Sequence, residues 1–170
     1  MPKVAEARVE LPPVFHDWAL AFEHETTREG LAYWNALRGE RPMPAFSDLH
    51  PRGMKSFIAN VSVIDCIPDD DGNVAYSVRL TGERVREHYG AVARRKLREF
   101  LPVAMERRWR QSLDRVRATE QPLRVHGRMS YADNTWLYQE TLLAPLRGAD
   151  SKASMFLLVT AWWPAKQPST

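Results

Sequence analysis

The sequence predicts an α+β fold: one five-stranded antiparallel sheet with helices on one face, preceded by an N-terminal helical extension. Segment order carries this expectation. Two short strand-like segments, Asn60–Ile67 and Asn73–Leu80, are followed by a helical stretch through Glu120. Three longer strand-like segments then close the chain at Pro122–Tyr131, Thr135–Leu146 and Ala153–Trp163. With 170 residues and 44% hydrophobic composition, there is material for one substantial core and little for a second.

Taken in order, residues 1–14 are polar and run into Pro12-Pro13, so they read as a flexible arm. Residues 15–52 read as a helix and a Pro-rich connector. Trp18, Phe22, Tyr33, Trp34 and Leu37 recur at roughly helical spacing over one long helix or two short ones, and Gly39 sits where a helix would stop. From Arg41-Pro42-Met43-Pro44 through Pro51 the prolines remove amide donors, and the chain must be extended. The main domain is expected over 53–163. Val61, Val63 and Asp65 alternate with Ser62, Ile64 and Cys66, and Asp69-Asp70-Asp71-Gly72-Asn73 supplies the turn to the next strand. That turn resembles a calcium loop only superficially, because Leu80 stands where loop position twelve needs a glutamate.

Pro102 opens a helix whose apolar stripe is Met105, Trp109, Leu113 and Val116, with five arginines opposite. Leu123, Val125, Gly127 and Met129 alternate with Arg124, His126, Arg128 and Ser130, the pattern of a half-exposed strand. The last two strands are more apolar and belong at the centre of the sheet. Residues 164–170 carry two prolines and read as a frayed tail.

Charge is unevenly distributed. Residues 86–128 hold twelve Lys and Arg against five Asp and Glu, so this segment carries +7 within a chain of net +3. Arg94-Arg95-Lys96-Arg98 and Arg107, Arg108 and Arg110 could attract phosphate, but no recognition helix or RNA-binding motif accompanies them, and a solvated helix face is favoured over a nucleic-acid site. A lone cysteine, Cys66, excludes an intramolecular disulfide. No apolar signal core opens the chain, and the longest apolar run, near Met155–Trp163, is far short of a membrane span. The expectation is a cytoplasmic protein without membrane insertion.

The run Tyr33-Trp34-Asn35-Ala36-Leu37-Arg38-Gly39-Glu40-Arg41-Pro42-Met43-Pro44, followed by Ser47-Asp48-Leu49-His50-Pro51, resembles the leader of a proteobacterial PAS-type family of small stand-alone proteins. The resemblance continues through Arg79-Leu80-Thr81-Gly82-Glu83, Tyr89-Gly90 and Leu143-Ala144-Pro145-Leu146 to Phe156–Thr160, and spans about residues 30–163. One departure falls after Tyr89-Gly90: the family commonly has a glycine a few residues on, where this chain carries Arg94-Arg95-Lys96. The resemblance implies a sensor or interaction module with a cavity between sheet and helices, and function still has to be argued from the site.

Within that frame Tyr89, Trp109, Leu113, Val125, Leu143 and Leu157 are the cavity candidates, with Arg79 and His88 as polar ones. Haem-binding relatives present a histidine from the helix before the last three strands, and Pro102–Thr119 contains none. Light-sensing relatives use a cysteine in a short helix after the second strand, whereas Cys66 lies in the first strand and reads as a packing residue. The cofactor is therefore unassigned. Five dispersed histidines offer no metal-type spacing, so no metal site is expected.

Trp18, Phe22, Trp162 and Trp163 are interface candidates, because the open sheet face and N-terminal helix of PAS domains commonly mediate dimer contacts. The leading reading is a stand-alone sensory module, a homodimer that binds a small ligand or a signalling protein and has no output domain. The rival is a structural adaptor with a filled core. A weaker alternative, an enzyme using His88 or His126 as base, has no nucleophile motif or phosphate loop to support it, and no catalytic residue is assigned.

Overall fold

The protein is described by a computed structural model covering residues 11–129, 131, 136–150 and 152–166. The sheet has six strands rather than five: β1 (Val14–Asp17), β2 (Val61–Pro68), β3 (Val74–Thr81), β4 (Leu123–Arg128), β5 (Leu137–Arg147) and β6 (Ala153–Pro164). All pairs are antiparallel, in the order β1-β4-β5-β6-β2-β3, so the two most apolar strands do occupy the centre. The helices are α1 (Glu25–Arg38), α2 (Glu83–Tyr89), α3 (Leu97–Phe100) and α4 (Val103–Thr119). Three single turns of 3₁₀ helix lie between α1 and β2.

The added strand comes from the segment expected to be helical. Val14–Asp17 pairs residue by residue with Gly127–Arg124 of β4. Asp17 then turns the chain, its carboxylate accepting from the amides of Ala19 (2.8 Å) and Ala21 (2.9 Å). Helix begins only at Glu25, with the His24 ring accepting from the Thr26 amide at 3.1 Å as cap. Gly127 makes this pairing possible, since a Cβ there would stand 2.6 Å from the Pro13 carbonyl oxygen. Nor is the chain just before β1 a loose arm: Arg108 donates to the carbonyls of Leu11 and Pro12. The arm expected over 1–14 otherwise lies outside the described residues, as do 167–170 of the expected tail, whereas Pro164 ends β6.

Helices α2–α4 cover one face of the sheet, and α1, from the N-terminal extension, covers the other. Strand alternation divides the core accordingly. Val61, Val63, Leu142, Ala144, Leu157 and Val159 meet α1 and the connector, with Trp34, Met43 and Phe57. Ile64, Val78, Leu123, Leu143, Phe156 and Leu158 face the opposite way, toward Leu97, Met105, Leu113 and Val116 of α3 and α4. On α1, Gly30 allows close approach to Val159, and Trp34 donates from its buried indole to the Pro145 carbonyl at 2.9 Å. The connector is tied by Arg41 to Asp48 at 2.9 Å, while Asp48 accepts from the Ala45 amide at 2.9 Å. The spacing of the Arg-Pro-Met-Pro and Ser-Asp segments is thus a closed loop.

The double covering also corrects the reading of β4 as half-exposed. Arg124 is buried, and its Nε donates to Glu140 at 2.7 Å. Glu140, fully enclosed, accepts further from the amides of Glu23 (2.9 Å) and His24 (3.1 Å) and from the Thr27 hydroxyl (2.5 Å). Burial alone would raise its pKa, but these donors and Arg124 outweigh burial and hold the carboxyl below its ordinary value. One carboxylate thereby satisfies the start of α1, where free amides and the helix dipole favour negative charge.

Another departure concerns Arg94. It adopts φ +66°, the left-handed region that glycine occupies without steric cost. Its amide donates to the Val78 carbonyl at 2.6 Å and the Val78 amide donates to Arg95, so the loop shields β3 at the sheet edge.

Three outcomes are expected from equilibrium urea unfolding. Glu140→Leu, which leaves Arg124 and three donors facing an apolar group, lowers stability by about 3–5 kcal/mol. Because the folded-state pKa is depressed, the stabilisation from Glu140 is complete above the ordinary value of 4.5 and is lost as pH falls through the folded value, so Glu140→Gln flattens the acid limb of the stability profile. Arg94→Gly should raise stability by up to about 1 kcal/mol by relieving the left-handed backbone.

Candidate functional site

Between the sheet and the layer α2–α4 lie two clefts that meet at Tyr89, Trp109 and Gln139. The first runs under α4 along β4, from Met105 and Trp109 to Val125 and Met129. The second lies under α2 and α3 against β2, β3 and β6, and its cavity volume is about 60 Å³. Trp109 belongs to the apolar stripe of α4, which places its ring at the junction. Tyr89 is the last residue of α2, where Gly90 at φ +80° ends the helix. Gln139 reaches the junction because alternation along β5 sends it, with Thr141 and Leu143, away from α1.

Polar order at the junction centres on one oxygen. Gln139 Oε1 accepts from the Tyr89 hydroxyl and from the Trp162 indole N–H, each at 2.8 Å. Burial pushes the Tyr89 phenol well above its usual range, more than the Gln139 bond draws it down, so it remains a neutral donor. Tyr131 stacks on Tyr89 at 5.0 Å. Beyond Trp162, Thr160 bonds Thr141 at 3.0 Å, and the hydroxyl of Thr81 is buried without a hydrogen-bond partner.

Of the cavity candidates, Tyr89, Trp109 and Val125 line the clefts. Leu113 and Leu143 are fully buried in the core between α4 and the sheet and line neither of these clefts. Leu157 is on the opposite face beneath α1. Arg79 faces that way too, bonded to Asp65 at 3.0 Å with its guanidinium over the Phe46 ring. His88 packs on Trp162 at a centroid distance of 4.1 Å, and burial lowers its pKa from 6.5, so its ring is neutral at pH 7. Gln139 and Thr81 escaped the sequence reading. For Gln139 the signal was available: Gln139-Glu140-Thr141 is a polar run in a largely apolar central strand.

The interface candidates separate. Trp18 is 43% exposed, whereas Phe22 is core beneath α1 and only 7% exposed. Trp162 points into the second cleft, and Trp163 faces the other way, between His24 (5.6 Å) and Tyr138 (5.2 Å). The sheet rim on that side continues through His126 to Phe15, whose rings stack at 5.4 Å and of which Phe15 is 51% exposed. His126 Nδ1 also lies 2.5 Å from the Tyr138 hydroxyl.

Much of the basic segment is engaged within the chain. Lys96 and Arg98 pair with Asp69, Arg110 bonds Glu106 and the Val74 carbonyl, and Arg115 meets the His16 ring at 2.9 Å. Among the described residues no group of His, Cys, Asp and Glu is placed to hold a metal ion, and no helix is long and apolar enough to cross a membrane.

An antiparallel sheet with short helices over a cleft on one side is an α+β architecture. Residues 22–160 match the PAS domain family, and the chain belongs to it. It is also similar to a solved structure of an RNA-binding light-oxygen-voltage receptor, at 13% identity and a TM-score of 0.46. That match covers 68% of this chain and 33% of the receptor, so the chain aligns with about a third of the receptor's length. No curated protein matches the sequence.

Proposed function

We propose that this PAS domain is a sensory module that binds a small molecule in the paired clefts under α2–α4 and passes the occupied state to a protein partner. The observation that carries the reading is the junction itself. Tyr89, Trp109 and Gln139 line both clefts, and Gln139 Oε1 joins α2 to β6 through two hydrogen bonds. A molecule placed there contacts helix and strand together, and occupancy then shifts the population of α2 and α3 positions against the sheet. These helices are seven and four residues long, short enough that tertiary contacts and not intrinsic propensity hold them.

A second reading concerns the partner. The exposed rings of Phe15 and Trp18, at the rim that continues through half-buried His126 and Tyr138 to Trp163, support self-association at that rim, since exposed rings act as interface anchors.

Native mass spectrometry of freshly purified protein tests both. The expected spectrum contains a dimer carrying a reproducible small-molecule mass, and Trp109→Ala lowers its occupancy at least about tenfold, the loss of a buried ring contact of at least about 1.4 kcal/mol. A bare mass that stays bare when cell extract is added back would instead support an adaptor with a filled core.

A further inference from the structure

The two clefts differ in charge, and the difference narrows the ligand. Arg108 borders the cleft along β4, engaged by the carbonyls of Leu11 and Pro12, whereas His126, which also lines it, turns its ring to Phe15 and Tyr138 on the other face. The cleft under α2 and α3 has no Lys, Arg, His, Asp or Glu among its lining residues. Its walls are apolar, with Ile64, Val78 and Leu158 on the sheet and the indoles of Trp109 and Trp162 at the junction. An ionised group placed there would lose its hydration with no counter-charge in return. Hydrogen-bonding capacity is as restricted as charge: Gln139 Oε1 already serves two donors, and Thr141 and Thr160 serve each other. The hydroxyls of Ser62 and Thr81 and the side-chain NH2 of Gln139 remain, and of these the Thr81 Oγ1 is buried without a hydrogen-bond partner. A buried hydroxyl left unpaired carries a free-energy cost that a ligand atom would remove.

We propose that this second cleft binds a neutral, mainly apolar molecule of about one ring, which seats its body against Trp109 and Trp162 and its single hydrogen-bonding group on Thr81 Oγ1. This rests on the sensory reading above and adds the chemical class of the ligand. Anions such as carboxylates and phosphates are excluded from it, and so are cations.

The experiment is a titration at neutral pH with three probes of matched shape, para-ethylphenol, ethylbenzene and para-ethylbenzoate, followed by saturation-transfer NMR. On the wild-type chain para-ethylphenol binds at least about tenfold more tightly than para-ethylbenzoate, because the carboxylate must be buried unpaired. Thr81→Val, isosteric and lacking only a hydroxyl without a partner, keeps or raises the melting temperature. It costs para-ethylphenol about fivefold in affinity and leaves ethylbenzene unchanged, and Thr81→Ser restores the phenol's advantage. Equal or tighter binding of para-ethylbenzoate, or a phenol advantage that survives Thr81→Val, overturns the assignment of ligand class while leaving the cleft as a binding site. Failure of all three probes to bind overturns the site along with it.

Discussion

The buried carboxylate of Glu140 is the constraint on which the arrangement of the chain depends. It sits on the central strand β5 with no solvent exposure, and its stability there requires the donors that surround it: Arg124 from β4, the amides of Glu23 and His24, and the Thr27 hydroxyl. Those donors come together only when α1 starts where it does and lies over its own sheet. Removing any partner leaves a buried charge uncompensated, so the interaction specifies a geometry more than it adds net stability. With α1 held, Trp34 reaches Pro145, the connector closes through Arg41 and Asp48, and one sheet face is sealed.

Sealing one face leaves the clefts to the other, the face proposed above to respond to a ligand. Under α1 the contacts are between large apolar side chains, several of them without any exposure. Across the sheet the cover is split among α2, α3 and α4, and the spaces left between them are the two clefts. The stability of such short helices rests on what lies beneath them, and an apolar molecule in the cleft would add to that layer without touching α1. Energetic asymmetry of this kind is what a sensory domain requires: a fixed platform and a cover whose population can move.

Local patterns made part of this visible in the sequence. The alternation in β5 and β6 and the stripe of Met105, Trp109, Leu113 and Val116 depend only on neighbours in the chain, and both identified their elements and the inward position of Trp109. The strand Val14–Asp17 could not be seen in this way, because four residues carry little periodicity and their partner β4 lies more than a hundred residues away. Trp18 and Phe22, at helical spacing with later aromatics, pointed to helix, while Asp17 in fact turns the chain between them. Glu140 was hidden for a similar reason, since a polar residue in an apolar strand does not reveal which distant amides it will meet. The assignment of Leu157 to the cavity followed from expecting helices on one face only. Once α1 occupies the second face, two-residue alternation places Phe156 and Leu158 toward α4 and Leu157 beneath α1.

The central claim, a rigid α1 face and a ligand-responsive α2–α3 cover, is tested most directly by residue-resolved hydrogen exchange with and without a cleft-binding molecule such as para-ethylphenol. The account predicts slow exchange in α1, β5 and β6 that the molecule leaves unchanged, together with faster exchange over residues 83–101 that slows on binding. Uniform protection across both faces, or a response confined to α1, would contradict it.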